Sequence, residues 1–239
     1  PGEKCGPSGR NASLAEHRTI VSERGGGEGP LLVLIHGLGA NAAVWDELLP
    51  VLRENWPGGW LIPELRGHGR SFHGAPYGFG VHAADVAAHL GQDAEVTVVG
   101  HSMGGAVAFA LASGIFGVRV KSVVAFGVKV DWPDEDLARA QAVARAPVKL
   151  FANRQDALER YLKVSGLWGL AGPESRTAQL GVAEYGGKFG LASDPLINAV
   201  GRPDLVAQAK ASLAPIRLLT GEQDQVGNAE GMRQLGPEV

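Results

Sequence analysis

The chain has 239 residues, 45% of them hydrophobic and 20% charged, which is enough apolar material for one domain with a sizeable core. A formal net charge of -3 gives no broad positive surface and argues against nucleic-acid binding. The single cysteine, Cys5, excludes an intramolecular disulfide, and the lack of a signal sequence or of an apolar run near the roughly 20 residues of a membrane span predicts a cytoplasmic protein.

Short apolar runs rich in β-branched residues alternate with segments of helical periodicity, which is typical of parallel βαβ units. The first predicted strand covers 31–37, and a helix follows over 41–56 with a kink expected at Pro50. The second strand lies in 59–71, where it runs into a glycine-rich loop, and the next helix covers 81–90. Because these strands are hydrophobic on both faces, helices must cover the sheet on both sides.

The same alternation continues along the chain. A third strand covers 95–101, and the helix after it starts near Ser102 and runs through 106–116. Strands at 120–128 and 215–221 follow, which gives five strands of the parallel type. The sequence therefore predicts an α/β fold with a mostly parallel sheet.

A long insertion separates the last two of these strands. Its length of about 85 residues exceeds a normal crossover, and its helical patterning argues against disorder, so we predict an inserted helical cap. Pro133 and the three acidic residues after it suit the first turn of the first cap helix. Further cap helices are expected at 155–165, 174–184 and 202–213.

The predicted domain division is a first core part over 1–130, the cap over 131–213 and a second core part over 214–239. We expect the apolar residues of 165–172 and 188–197 to line a pocket that faces the sheet. The cap has three large aromatic residues for which packing on the core is as good an explanation as lining the pocket: Trp132, Trp168 and Phe189.

The stretch VVGHSMGGAVA, residues 98–108, fits the G-x-S-x-G pattern around Ser102. It joins a predicted strand to a predicted helix, which is the context that a nucleophile elbow requires. Glycine is expected at 100 and 104 because a side chain there would collide with the neighbouring strand or helix. The hypothesis is that Ser102 is a nucleophile at a helix N-terminus, where backbone N–H groups favour a developing negative charge. A purely structural serine is the alternative.

Four motifs in this order resemble the α/β-hydrolase superfamily, in its branch of cap-bearing serine esterases and lipases: HGLGAN (36–41), RGHGRS (66–71), GHSMGGAVA (100–108) and LLTGEQDQV (218–226). The resemblance implies a mostly parallel sheet flanked by helices, with an inserted helical cap. It implies a serine hydrolase that acts on a carboxylic ester or related acyl compound through an acyl-enzyme at Ser102. It also implies a small-molecule substrate with an apolar acyl group and no metal or organic cofactor, and it carries no prediction of oligomeric state.

The resemblance assigns roles to individual residues. The backbone N–H groups of Leu38 and Met103 would form an oxyanion hole, and Asp224 would orient the catalytic histidine, with Asp131 as the alternative acid. Structural roles in loops or in packing are expected for three histidines near these motifs: His36, His68 and His101.

The catalytic base is the open question. In this family the histidine follows the acid, yet all seven histidines precede Asp224, and a last strand with its histidine loop is absent from the sequence. Three explanations remain: a truncated chain, a natural pseudoenzyme, or a base recruited from elsewhere, for which His73 is the best substitute. An acyltransferase or perhydrolase would use the same site, whereas a non-catalytic ligand-binding protein would keep the pocket and lose turnover.

Overall fold

The computed structural model describes residues 19–91, 94–199, 201–224 and 226–236, so Cys5 lies outside the described residues. Six strands form the central sheet in the order β1-β3-β2-β4-β5-β8. Their bounds are β1 Ser22–Gly26, β2 Leu31–Ile35, β3 Gly59–Pro63, β4 Glu95–His101, β5 Arg119–Phe126 and β8 Ile216–Leu219. Strand β1 pairs with β3 in antiparallel fashion, and the other neighbours are parallel. The predicted mostly parallel sheet is confirmed.

The central strands are apolar because both of their faces are buried. In β2, Leu32 and Leu34 contribute to one hydrophobic cluster, whereas Val33 and Ile35 contribute to the cluster on the opposite face. This alternation follows from the two-residue period of a strand. A strand covered on both sides reads as a continuous hydrophobic run, which is why the sequence identifies it.

Helices flank the sheet, and others lie in the segment between β5 and β8. Their bounds are α1 Leu49–Asn55, α2 Phe79–Ala88, α3 Met103–Ala112, α4 Asp134–Arg145, α5 Arg154–Val164, α6 Arg176–Leu180, α7 Leu205–Lys210 and α8 Ala229–Arg233. Two 3-10 helices cover Ala42–Leu48 and Pro195–Asn198. Among the helices of the described residues, none is both long enough and apolar enough to cross a membrane.

The predicted kinked helix over 41–56 is two helices instead. The 3-10 helix ends at Leu48, and α1 begins at Leu49 with Pro50 in its first turn. A proline at this position loses no hydrogen bond, because the first N–H groups of a helix have no intrahelical acceptor. Pro50 therefore begins a helix rather than bending one.

Strand β1 was not predicted, because its sequence SERGG contains no apolar run. It forms by backbone pairing along the edge of β3, from Ser22 opposite Pro63 to Gly26 opposite Gly59. An edge strand of this kind takes its stability from the backbone ladder, so its side chains need not be hydrophobic.

The prediction of a helix over 174–184 is wrong in its second half. Helix α6 ends at Leu180, and an antiparallel hairpin follows, with β6 at Val182–Tyr185 and β7 at Lys188–Leu191. The connecting residues Gly186 and Gly187 have φ of 58° and 80°. Two consecutive glycines with positive φ are typical of a tight hairpin turn, and this was the signal that the sequence offered.

The inserted segment builds a hydrophobic cluster of its own, in which Tyr161 and Leu162 of α5 are buried. A buried contact ties it to the core, since Asn41 Nδ2 donates to Tyr161 Oη at 2.9 Å and to the Thr177 carbonyl at 2.8 Å. Helix α7 instead packs on α3, and its Leu205 belongs to the main core. The domain boundaries at 130 and 213 stay a prediction.

Candidate active site

Ser102 lies on a strained turn between β4 and α3. Its backbone has φ 52° and ψ -117°, and among the described residues it is the one non-glycine residue with positive φ. Such a conformation costs a residue with a side chain on the order of 1–3 kcal/mol. The Ser102 N–H donates to the Phe126 carbonyl at 2.9 Å, and the Gly105 N–H donates to the Ser102 carbonyl at 2.9 Å. Hydrogen bonds on both sides of the serine therefore hold the turn.

The two flanking glycines allow the close approach that the turn requires. A Cβ on Gly104 would lie 2.2 Å from the Ile35 carbonyl oxygen, and a Cβ on Gly100 would lie 2.4 Å from the Gly104 carbonyl oxygen. Both contacts are with backbone atoms, which cannot move away as a flexible side chain can. The predicted steric need for glycine at both positions is confirmed.

The turn after β2 passes beside the serine. A Cβ on Gly37 would lie 3.3 Å from Ser102 Cβ, and the Ala40 N–H closes the turn on the Gly37 carbonyl at 3.2 Å. Leu38, at the tip, lines the same cavity as Ser102 and Met103. Within the described part of the chain, the N–H groups of Leu38 and Met103 have no hydrogen-bond acceptor. The structure thus brings together the two predicted oxyanion residues and the serine.

Asp224 follows β8 and approaches the same end of the sheet. Its Oδ1 accepts from the N–H groups of Val226 at 2.8 Å and Gly227 at 2.9 Å. Its Oδ2 lies 3.2 Å from the position that a Cβ on Gly127 would take, and His101 Nε2 lies 3.3 Å from the same position. Burial lowers the pKa of His101, and the nearby charge of Asp224 opposes that shift.

The alternative residues lie elsewhere. Asp131 is exposed and lines a neighbouring polar pocket that does not include Ser102. His73 is also exposed, and its Nε2 contacts the Gly69 carbonyl at 3.3 Å. The ring of His101 packs against Phe126, with 4.9 Å between centroids, as expected for a residue beneath the turn.

A cavity of about 180 Å³ opens over the serine. Its walls are mostly apolar and come from both the core and the inserted segment: Leu38, Phe79, Ser102, Met103, Ala106, Val128, Lys129, Trp132, Ile197, Leu205 and Val226. None of the described histidines is among them. Of the two segments expected to line a pocket, 188–197 contributes Ile197, whereas Trp168 and Leu170 are 55% and 82% exposed. The prediction for 165–172 is therefore wrong.

Phe79 and the wall formed by Val128 and Lys129 were not predicted from the sequence. Lys129 is the one charged side chain among the described cavity walls, and its Nζ forms an ion pair with Asp136. Val128 and Lys129 lie in the loop after β5, at the carboxyl end of a parallel strand, where ligand sites of such sheets form. Their position at the end of a predicted parallel strand was the sequence feature that could have identified Val128 and Lys129 as cavity residues. In the described ranges, no group of three His, Cys, Asp or Glu side chains could hold a metal ion.

Three buried histidines lie behind the cavity. The Leu65 N–H donates to His36 Nε2 at 3.0 Å, and the Gly39 N–H donates to His68 Nε2 at 3.0 Å. Each Nε2 is thus an acceptor, so the proton sits on Nδ1, which faces a carbonyl oxygen in both rings. Burial is the main cause that lowers the pKa of His36 to about 4, of His68 to about 3 and of His82 to about 4.

Comparison with known proteins identifies relatives. Residues 32–238 match the model of the Alpha/beta hydrolase family. The chain is 33% identical to Lipase LipV of Mycobacterium tuberculosis over 174 residues, which cover 70% of this chain and 64% of the relative. It is 38% identical to the Magnesium-chelatase 30 kDa subunit of Rhodobacter capsulatus over 96 residues, 38% of this chain and 33% of that protein. The chain thus spans less than two thirds of either relative.

A solved structure shows the same fold. The thioesterase domain from the curacin biosynthetic pathway superposes with a TM-score of 0.72 and 22% sequence identity, covering 90% of this chain and 83% of that domain. At this level of identity the similarity shows the fold alone. The chemistry of the site is argued from the residues of this chain.

The packing at the turn predicts opposite effects for two glycine-to-alanine substitutions. Gly104→Ala places a Cβ against the Ile35 carbonyl, and we expect a loss of more than about 4 kcal/mol in the free energy of unfolding. Gly80→Ala is the matched control: the nearest atom to its Cβ is 4.0 Å away, and it should stabilise helix α2 by about 0.4–1 kcal/mol. Urea unfolding followed by circular dichroism measures both. Equal stability of the two variants would contradict the close packing.

The buried histidines predict a loss of stability in acid. Above pH 6.5 these histidines are neutral in both the folded and the unfolded chain. Below that pH the unfolded chain binds protons that the folded chain does not, until the pH reaches the folded-state pKa of about 3 for His68 and about 4 for His36 and His82. As the pH falls from 7 to 5, each buried histidine should therefore lower the free energy of unfolding by about 2 kcal/mol. We expect His82→Gln to reduce this acid loss by that amount, as measured by urea unfolding at both pH values. An acid loss in His82→Gln as large as that of the unaltered protein would contradict the prediction.

Proposed function

Because the chain belongs to the alpha/beta hydrolase family, we propose that it hydrolyses a carboxylic ester or related acyl compound through an acyl-enzyme at Ser102. The observation that carries the proposal is the strained backbone of Ser102 at the floor of an apolar cavity. Strain at a residue with a side chain persists only where the surrounding structure enforces it, and it concentrates at functional sites. A merely structural serine would not require φ of 52°.

The neighbouring amides support the electrostatic part of this proposal. The N–H groups of Leu38 and Met103 flank Ser102 and have no acceptor among the described residues. Attack on a carbonyl carbon turns its oxygen into an oxyanion that needs such donors. One well-placed donor of this kind contributes about 2.7–4 kcal/mol of transition-state stabilisation. We propose that these two donors receive the negative charge that develops on the substrate oxygen.

Asp224 is the proposed acid. Two backbone N–H groups hold its Oδ1, and its Oδ2 is directed towards Gly127 and His101 on the serine side of the sheet. The proton acceptor is proposed to be a histidine oriented by this carboxylate. The sequence has no histidine after Asp224, and the described histidines do not line the cavity. The assignment of Ser102 as the nucleophile therefore does not depend on which residue is the base.

The reaction would proceed in two steps. The base removes the Ser102 proton while the hydroxyl oxygen bonds to the carbonyl carbon, and the leaving alcohol departs with that proton. Water then attacks the acyl carbon and gives a proton to the base. The bond between that carbon and Ser102 Oγ breaks, the carboxylic acid leaves, and the base returns the proton to Oγ. The mostly apolar cavity fits the acyl part of the substrate. The relative LipV is named a lipase, which agrees with this chemistry.

A second candidate is a non-catalytic ligand-binding protein. The observation in its favour is that none of the described histidines reaches the cavity. Such a protein would keep the apolar cavity and the fold. It would not activate Ser102, so the reactivity of that hydroxyl distinguishes the two candidates.

A covalent probe tests the nucleophile directly. We expect a fluorophosphonate to label the complete gene product on Ser102 with one equivalent, because the probe reacts only with an activated serine. Mass spectrometry of the digested protein locates the label, and Ser102→Ala should abolish it. Asp224→Asn should slow labelling, since the base loses its partner. Labelling that is unchanged in Ser102→Ala, or no labelling at all, would favour the ligand-binding protein.

The size of the cavity predicts the chain length of the substrate. Among p-nitrophenyl esters from acetate to palmitate, we expect the highest kcat/KM for short to medium acyl chains, since the cavity holds about 180 Å³. Ile197→Ala enlarges the cavity and should shift the optimum to longer chains. Leu170→Ala, at a side chain that is 82% exposed, is the control and should not shift it. A preference for long, emulsified lipids would contradict the prediction.

A further inference from the structure

The turn that carries Leu38 is packed at its start, where a Cβ on Gly37 would lie 2.9 Å from His101 Nδ1, but not at its tip. Gly37 and Gly39 flank Leu38, and Gly39 has φ of 72° with no heavy atom within 4 Å of where its Cβ would lie. Glycine permits many backbone conformations, so the unpacked tip at Gly39 depends on hydrogen bonds to keep one conformation. An amide that must face a transition-state oxygen needs support from outside the turn.

That support comes from two imidazoles that cross between neighbouring loops. His36, from the end of β2, accepts the Leu65 N–H of the loop after β3 at 3.0 Å. In return His68, from the loop after β3, accepts the Gly39 N–H at 3.0 Å. Both rings are fully buried, and their centroids are 4.9 Å apart in an edge-to-face arrangement. The two loops therefore hold each other through reciprocal hydrogen bonds.

These bonds fix both peptide groups around Leu38. The peptide that bears the Leu38 N–H has its carbonyl on Gly37, which accepts from His36 Nδ1 at 2.8 Å and from the Ala40 N–H at 3.2 Å. The following peptide bears the Gly39 N–H, which His68 accepts. Since the peptide plane is rigid, holding the carbonyl on one side directs the N–H to the other. The hydrogen bond from the Gly39 N–H to His68 fixes the second peptide plane. His68 belongs to a different loop, the one after β3.

We propose that His68 is a positioning residue for the reaction: its unprotonated Nε2 holds the Gly39 N–H and so fixes the turn that presents the Leu38 amide to the substrate oxygen. This inference rests on the proposed function at Ser102. His68 itself does not line the cavity and touches no reacting atom. Its own orientation is set by the Arg66 carbonyl, 3.1 Å from Nδ1.

Two conservative substitutions separate this role from simple packing. In His68→Gln the amide oxygen reaches the place of Nε2 and can still accept the Gly39 N–H. In His68→Asn the shorter amide cannot reach it. We expect His68→Asn to lower kcat and the rate of fluorophosphonate labelling by about 10- to 100-fold, the size of effect that a misplaced donor produces. KM should stay within about threefold, and His68→Gln should recover most of the rate.

A readout that is independent of turnover tests the hydrogen bond itself. Hydrogen exchange of the Gly39 amide, followed by NMR, should be at least about tenfold faster in His68→Asn and near normal in His68→Gln. The control is His82→Gln, a buried histidine 6.4 Å from the His68 ring with no hydrogen bond to the turn among the described residues. It should change neither the Gly39 exchange nor the labelling rate.

The outcomes are distinguishable. Unchanged Gly39 exchange in His68→Asn would overturn the hydrogen bond on which the proposal stands. Faster exchange with an unchanged labelling rate would overturn the positioning role while leaving the reaction at Ser102 intact. Absence of labelling in the unaltered protein would instead overturn the proposed function, and the positioning role with it.

Discussion

The close approach of helix α3 to strand β2 is the constraint on which the rest of the structure depends. Gly104 places its backbone where a Cβ would lie 2.2 Å from the Ile35 carbonyl, and only with that approach does the chain turn sharply enough to give Ser102 its positive φ. The buried residues of α3, such as Phe109, then anchor the helix in the main core. The cost of strain at one residue is thus offset by the packing of the helix that follows it.

The parallel sheet brings distant sequence segments to one edge. The carboxyl ends of parallel strands meet at one edge, so the loops after β2, β4, β5 and β8 approach each other although they are separated along the chain. Leu38, Ser102, Lys129 and Asp224 come from these four loops. The inserted segment adds Ile197 and so closes an apolar space over an edge that would otherwise face water.

Neutral imidazole rings connect the loops behind the cavity through hydrogen bonds. A buried charge is costly unless it is paired, whereas a neutral imidazole can accept one amide and donate to one carbonyl within an apolar interior. His36 and His68 satisfy both ring nitrogens in this way. His82 Nδ1, by contrast, is buried without a partner among the described residues. The arrangement fixes the turn beside Ser102 at neutral pH and makes stability depend on those rings staying neutral.

Local patterns in the sequence determined the buried strands, the turn at Ser102 and the need for glycine at 104, because complete burial and close backbone contact restrict the residue types at each position. They did not determine β1, since the edge strand depends on backbone pairing with β3 rather than on its own side chains. Only the tertiary structure decided that Ile197 faces the cavity while Trp168 faces solvent, and that His68 reaches Gly39. Those contacts join residues far apart in the chain, and no local pattern records which partners folding brings together.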